Sequence, residues 1–186
     1  MNSDEIKELF EKVNPGHFER DYVKALDEGE VFEDLIMPLG SFELPQTAGL
    51  PGITYGSYTG KVTDLKEMIG RIDRGWIDIF NEESEVYCAF CEGHPVSICM
   101  IEDMGEHFIG GRKYRVGGPG CVGTLPEYRK RGIGAQMVLN VTKILRDRGF
   151  DLSYIYYTAV GGWYEKMGYK KAVRWDKHGI AEAAEI

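Results

Sequence analysis

No stretch of this 186-residue chain stays apolar for long. A membrane helix needs roughly 20 consecutive apolar residues, so a membrane span is not expected. The start, MNSDEIKELF, lacks the basic-then-apolar order of a secretory leader, which points to the cytoplasm. Cations are in deficit: 22 Lys and Arg face 30 Asp and Glu, a net charge of −8. A globally acidic chain is a poor partner for nucleic acid. The Walker string Gly-x-x-x-x-Gly-Lys-Ser/Thr is missing, and no Gly-x-Gly-x-x-Gly stands directly after a strand. Cysteine is sparse: Cys88, Cys91, Cys99 and Cys121. Cys88 and Cys91 have C-x-x-C spacing, but VYCAFC reads as a strand and not as the helix start a redox pair wants. No second ligand pair of comparable spacing exists, so no zinc site and no other metal is expected.

What charge there is, is unevenly spread. Residues 1–50 carry four basic and twelve acidic residues. Residues 112–148 reverse this, with nine basic residues against Glu127 and Asp147. A local basic patch in an acidic protein suits a small polyanion. Lys143, Arg146 and Arg148 fit a solvated helix face. Arg129, Lys130 and Arg131 sit inside a glycine loop, where a solvated face explains them less well.

Along the chain, a helix is expected over 3–12, with Ser3 as cap and Ile6, Leu9 and Phe10 on one face. Pro15-Gly16 breaks it, and a second helix is expected over 17–28, stopped by Gly29. VFEDLIMPLG reads as strand or short helix, and 40–52 as loop. We take 1–52 as an acidic, helical N-terminal extension packed on a domain of 53–186, because 50 residues cannot hold a core alone. ITYGSYT reads as a strand, Thr63 as the cap of DLKEMIGRID, and EVYCAFC with PVSICMIED as a hairpin. Polar 103–112 reads as loop. KYRVGGPGCVGT reads as a strand interrupted at Gly117–Gly120, hence a bulge or splayed edge. A helix over 132–148 is the firmest element, followed by the strand LSYIYYT, a short WYEKM helix and a strand from Tyr169 to Trp175.

The string Arg129-x-x-Gly132-x-Gly134 follows the interrupted strand and opens the long helix. Glycines let backbone amides approach a ligand, and the helix dipole adds partial positive charge. This is a pyrophosphate cradle. Together with the later Trp163-Tyr164-Glu165-Lys166-Met167-Gly168-Tyr169, it resembles the GNAT superfamily of acyl-CoA-dependent N-acetyltransferases, over roughly residues 53–175 and most firmly over 114–169.

The resemblance implies an α/β (α+β) fold: a mixed, mostly antiparallel sheet with a central splay, flanked by helices. It implies acetyl-CoA as acetyl donor and a primary amine, small molecule or peptide, as acceptor. Backbone groups of Val122, Gly123 and Thr124 would pair with the pantetheine arm. Amides across Arg129, Lys130, Arg131, Gly132, Ile133, Gly134 and Ala135 would hold the pyrophosphate, the strands of Val122 and Tyr156 would splay, and Tyr164 would be the general acid. An amide near Val122 would polarise the thioester carbonyl, and a phenol can reprotonate the leaving thiolate.

The sequence departs from the family in places. Tyr157 stands where many members have asparagine. The position of a glutamate base in some members falls near Gly118, leaving Glu102, Asp103, Glu106 and His107 as candidates by proximity. The short tail after Trp175 leaves a final strand missing or supplied by a partner, as in a homodimer. A CoA-binding sensor or interaction module without catalysis is the alternative reading.

Overall fold

Strand alternation, helix periodicity and two left-handed kinks shape the computed structural model, which describes residues 1–46 and 49–186. The chain is mixed α/β with an eight-stranded, mostly antiparallel sheet and flanking helices. It divides into two compact units. One comprises Met1–Gly40, Met104–Gly117 and Gly149–Ile186; the other comprises Ser41–Asp103 and Gly118–Arg148. These units do not follow a boundary at residue 52. The loop expected over 40–52 falls partly outside the described residues.

The first unit begins with α1 (Ser3–Val13). Its cap is Asn2, not Ser3: Asn2 Oδ1 accepts from the amides of Asp4 and Glu5, and Glu5 Oε2 accepts from Asn2 N. This reciprocal box satisfies amides that a helix start leaves unpaired. Ile6, Leu9 and Phe10 are buried, as their spacing predicts. The helix expected over 17–28 is instead a 3-10 turn, His17–Glu19, followed by α2 (Asp21–Lys24). Arg20 between them is extended. In one continuous helix, His17 and Val23 would point about 120° apart, yet both are buried; the break at Arg20 resolves that conflict.

VFEDLIMPLG supplies β1 (Phe32–Pro38), which pairs antiparallel with both β6 (Leu152–Thr158) and β7 (Lys170–Asp176). The acidic N-terminal segment is therefore part of the sheet itself. β8 (Gly179–Ala183) pairs antiparallel with β7, so a strand after Trp175 comes from this chain and needs no partner. Residues 103–112, expected as loop, are mostly strand: β4 (His94–Ile109) and β5 (Arg112–Thr124) run up to a tight Gly110-Gly111 turn. In this unit the strands follow β4-β5-β6-β1-β7-β8. The parallel ladder of β5 with β6 consists of Val116↔Leu152 and Gly117↔Ser153. The core gathers Ile6, Phe10, Ile36, Val116, Tyr154 and Trp175, among others; each such side chain contributes roughly 1.5–3 kcal/mol on burial. The short helix α5 (Gly161–Glu165) packs on β1 and β7.

The second unit orders β2 (Ile53–Ser57), β3 (Val86–Cys91), β4 and β5. A 3-10 turn, Val62–Leu65, leads into α3 (Lys66–Ile72). Thr63 is not its cap. The Glu82 carboxylate serves instead, accepting from the amides of Val62 and Thr63 at 3.0 Å each. α4 (Ile133–Asp147) matches the expected helix within a residue and packs on β3. Among the described residues no helix is long and apolar enough to cross a membrane.

Candidate functional site

Val122 to Ala135, all in the second unit, run from the end of β5 through a loop into α4. The expected interruption of the strand is not at Gly117–Gly120, which stay within β5, but at Cys121, whose φ is +46°. A non-glycine residue in that region is uncommon and kinks the strand locally. Val122 follows directly.

Gly123 is a close approach. A Cβ there would lie 2.4 Å from Ile72 Cγ2 and 2.8 Å from Trp76 Cζ3, so the end of α3 and the turn after it cover this strand only because residue 123 lacks a side chain. Ser97 Oγ donates to the Gly123 carbonyl at 2.7 Å and lies 2.9 Å from Thr124 Oγ1. Neighbouring β4 thus fixes this stretch through a side chain as well as through the ladder.

In the loop, Lys130 and Gly132 both have left-handed backbone, φ +62° and +84°. At Gly132 a side chain would meet nothing within 4 Å, so what the position demands is the dihedral angle. Gly132 is the N-cap of α4, with no side-chain cap bond and no acid in the first turn. The first helical bond runs from Gln136 N to Gly132 O. The amides of Ile133, Gly134 and Ala135 therefore have no acceptor inside the helix. A 15-residue helix presenting three such amides behind a glycine is a ready anion site.

The flanking cations behave differently from a simple phosphate clamp. Arg129 Nε donates to the Thr124 carbonyl at 2.9 Å. Arg131 Nη2 donates to the Glu127 carbonyl at 2.8 Å, with its guanidinium 5.1 Å from the Tyr128 ring centre. Both brace the loop while adding positive charge beside the amides. Lys130 is exposed. Farther along α4, Arg148 makes a two-pronged pair with Glu85, Arg146 reaches the Phe42 carbonyl, and Lys143 pairs with Asp147. Those three serve the helix's own packing.

Tyr164 belongs to the first unit, on α5. It is 8% exposed and meets the rings of Trp163 and Tyr169 edge-on. Strand alternation predicts Tyr154 and Tyr156 on one face and Tyr157 on the other, and the structure overrules it. Tyr157 has φ +52°, and both Tyr156 and Tyr157 are exposed while Tyr154 is buried. The cause is a residue that sequence reasoning missed. Asp34 on β1 is buried, and its Oδ1 accepts from Tyr157 N at 3.0 Å and Trp175 Nε1 at 2.9 Å. Its Oδ2 accepts from Tyr154 Oη at 2.7 Å. Burial pushes the Asp34 carboxyl up to about 6, against the opposing pull of these three donors. An acid in the otherwise apolar run DLIM was the available signal. The Tyr157 ring stacks on Phe32 at 4.6 Å and on Trp175 at 5.4 Å, away from the role an asparagine would have had.

Of the base candidates, Glu106 pairs with Lys113 at 3.0 Å and His107 Nε2 lies 2.8 Å from the Met104 carbonyl. Glu102 lies against Gly120. Among the described residues no three or more His, Cys, Asp or Glu are gathered as metal ligands. All four cysteines are free.

Solved structures share this architecture. A GCN5-related glucosamine N-acetyltransferase region of a fungal multi-domain GH3 β-N-acetylglucosaminidase superposes with TM-score 0.65 at 19% identity, covering 80% of this chain and 20% of that one. A GCN5-related N-acetyltransferase from Kribbella flavida gives 0.53 at 18%, covering 77% and 55%. One from Sphaerobacter thermophilus gives 0.55 at 16%, covering 78% and 50%. The chain thus spans little more than half of these proteins at most, and at such identities the likeness is one of fold. No curated protein matches the sequence. The model of the acetyltransferase (GNAT) domain matches residues 56–172, and the chain belongs to that family. Domains of this family carry out acyl transfer from acetyl-CoA. The uncapped amides at α4 and the left-handed Gly132 fit the pyrophosphate of that co-substrate.

Proposed function

We propose that the protein transfers an acetyl group from acetyl-CoA to a primary amine by direct attack. The observation that carries this reading is the start of α4, with its glycine N-cap, no side-chain cap and three amides that have no acceptor inside the helix, set one loop after the kink at Cys121. Acetyl-CoA supplies an activated acetyl thioester. Ile133, Gly134 and Ala135 hold the pyrophosphate through their amides, with Arg129, Lys130 and Arg131 adding charge. Val122, Gly123 and Thr124 offer backbone groups to the pantetheine arm, and the Val122 amide polarises the thioester carbonyl. Tyr164 gives its phenolic proton to the departing sulfur. The net charge of −8 favours a cationic acceptor. Polyamines, aminoglycosides and basic peptides are the first to try, joined by glucosamine, the acceptor for which the fungal relative's acetyltransferase region is named.

The test follows free thiol release from acetyl-CoA across a panel of amines. We expect turnover with at least one, and a loss of about 10²-fold in Tyr164→Phe with CoA binding retained. Saturating CoA at 100 times its Kd should stabilise the fold by about 2.7 kcal/mol. Stabilisation without thiol release for any amine would favour a CoA-sensing module. No stabilisation by CoA would overturn the cradle.

A further inference from the structure

The proposed reaction leaves one proton without a destination. A primary amine is an ammonium near neutral pH and must lose a proton to attack a carbonyl, so a positioned acceptor is needed. In the second unit, one carboxylate is placed by an exchange of volume between neighbouring strands. Glu102 on β4 lies over the α-carbon of Gly120 on β5. A Cβ at residue 120 would fall 2.1 Å from Glu102 Oε1 and 2.6 Å from its Cδ. The side chain missing from β5 is therefore replaced by a carboxylate from β4. Gly120 is buried and Glu102 half-buried, so the carboxylate is held at the surface of the strand rather than loose in solvent.

Where it sits matters. The next residue is Cys121, at the kink, and the one after is Val122, whose amide the reading above assigns to the thioester carbonyl. Two thiols sense the charge of Glu102. Burial, then the Glu102 charge, push up the thiols of Cys99 on β4 and Cys121 on β5, the latter to about 12. Asp73, at the end of α3, adds to the effect on Cys121. Both thiols stay protonated at neutral pH, so neither competes as a base. The two carboxylates give this spot a negative potential that attracts an ammonium.

We propose that Glu102, seated in the space left by Gly120, takes the proton of the acceptor amine. This rests on the acetyltransferase reading. The amine proton passes to a Glu102 carboxylate oxygen, directly or through one water. The nitrogen lone pair forms the bond to the acetyl carbon, the carbon–sulfur bond breaks, and its electron pair leaves on sulfur, which takes the Tyr164 proton; the nitrogen then sheds its second proton, which returns through solvent to the Tyr164 phenolate. The products are an N-acetyl amide and free CoA thiol, with the ammonium proton left on the protein and later released to solvent.

The experiment measures kcat/KM from pH 6 to 10 for the wild type, Glu102→Gln and Gly120→Ala, with CoA-induced thermal stabilisation recorded alongside. Glu102→Gln should lose roughly 10²–10³-fold at pH 7. It should recover toward the wild type as pH nears the amine's own pKa, since an already neutral amine needs no base. Gly120→Ala keeps Glu102 but puts a methyl group where its carboxylate lies, so it should show the same loss and the same recovery. CoA stabilisation should be unchanged in both, and Glu106→Gln should behave as wild type. Wild-type kcat/KM at pH 7 in Glu102→Gln, or an equal loss at every pH, overturns the assignment of Glu102 while leaving the acetyltransferase reading intact. A wild-type enzyme that turns over no amine overturns both.

Discussion

His17 and Asp34 should make the first unit's stability respond to acid in opposite senses, and removing either should expose the other. His17 is 4% exposed, and among the described residues neither ring nitrogen has a hydrogen-bond partner. Its ring stands edge-on to Trp175 at 4.3 Å and to Phe10 at 5.2 Å. Burial, assisted by the Arg20 charge, pulls the imidazole from 6.5 down to about 4. In the folded protein His17 therefore stays neutral between about pH 4 and 6.5 while the unfolded chain takes up a proton. The unfolded state binds more protons in that window, so this contribution grows as pH rises and is lost as pH falls. The difference corresponds to roughly 3 kcal/mol at 1.36 kcal/mol per pKa unit. Asp34 does the reverse. With its carboxyl raised from 3.8 to about 6, the folded state binds more protons across that interval, and its contribution falls as pH rises, by about 3 kcal/mol. Between pH 4 and 6 the two nearly cancel. His17→Phe keeps a ring for the aromatic neighbours and removes the titration. Asp34→Asn is also tolerable, because the two N–H donors share Oδ1, while Oδ2 faces the Tyr154 hydroxyl, which can turn and accept. Urea unfolding followed by Trp175 emission at pH 4, 5, 6 and 7 should show His17→Phe gaining about 3 kcal/mol relative to the wild type as pH falls from 6.5 to 4. Asp34→Asn should gain a similar amount relative to the wild type as pH rises from 4 to 6. A pH-independent difference for either variant would refute the reasoning for that group.

Two glycine substitutions should separate dihedral strain from close packing. Gly132→Ala meets no atom within 4 Å but must hold φ near +84°, so urea denaturation should show a loss of about 1–2 kcal/mol, with weaker CoA binding by calorimetry. Gly123→Ala collides with Ile72 and Trp76 and should lose about 1–3 kcal/mol, with a shifted Trp76 emission as the turn after α3 is pushed off the strand.

Helix α4 was legible because one stripe of apolar residues at helical spacing and a glycine start agree with what the fold needs. The proposed anion cradle is read from the same residues. The hairpin extension through 103–109 was not legible. Strict alternation leaves neither face of this stretch apolar in sequence; Phe108 stays 63% exposed, while Ile109 is buried in the core and Met104 packs against it. The kinks were misplaced for a related reason. Glycine-rich Gly117–Gly120 reads as the break, yet the left-handed residues are Cys121 and Tyr157. At Tyr157 the dihedral is accompanied by a buried acceptor from a strand more than a hundred residues away in sequence. Local propensity cannot see such a partner. Glu102 was visible as a candidate, but only the glycine opposite it distinguishes it from Glu106 and His107.

The place of β1 between β6 and β7 carries a consequence for biogenesis. β1 is made early, but both of its neighbours lie beyond residue 151. At synthesis rates of about 5–20 residues per second, the residues between Pro38 and Leu152 take on the order of 6–23 s, during which both edges of β1 are open. Every chain segment of the second unit is complete by Arg148, before β6 and β7 exist. The emerging polypeptide therefore spends its synthesis with an apolar strand, Leu35-Ile36-Met37, exposed to other chains. Pairing of this kind, between strands more than a hundred residues apart, is intrinsically slow and leaves the strand open to aggregation until it closes.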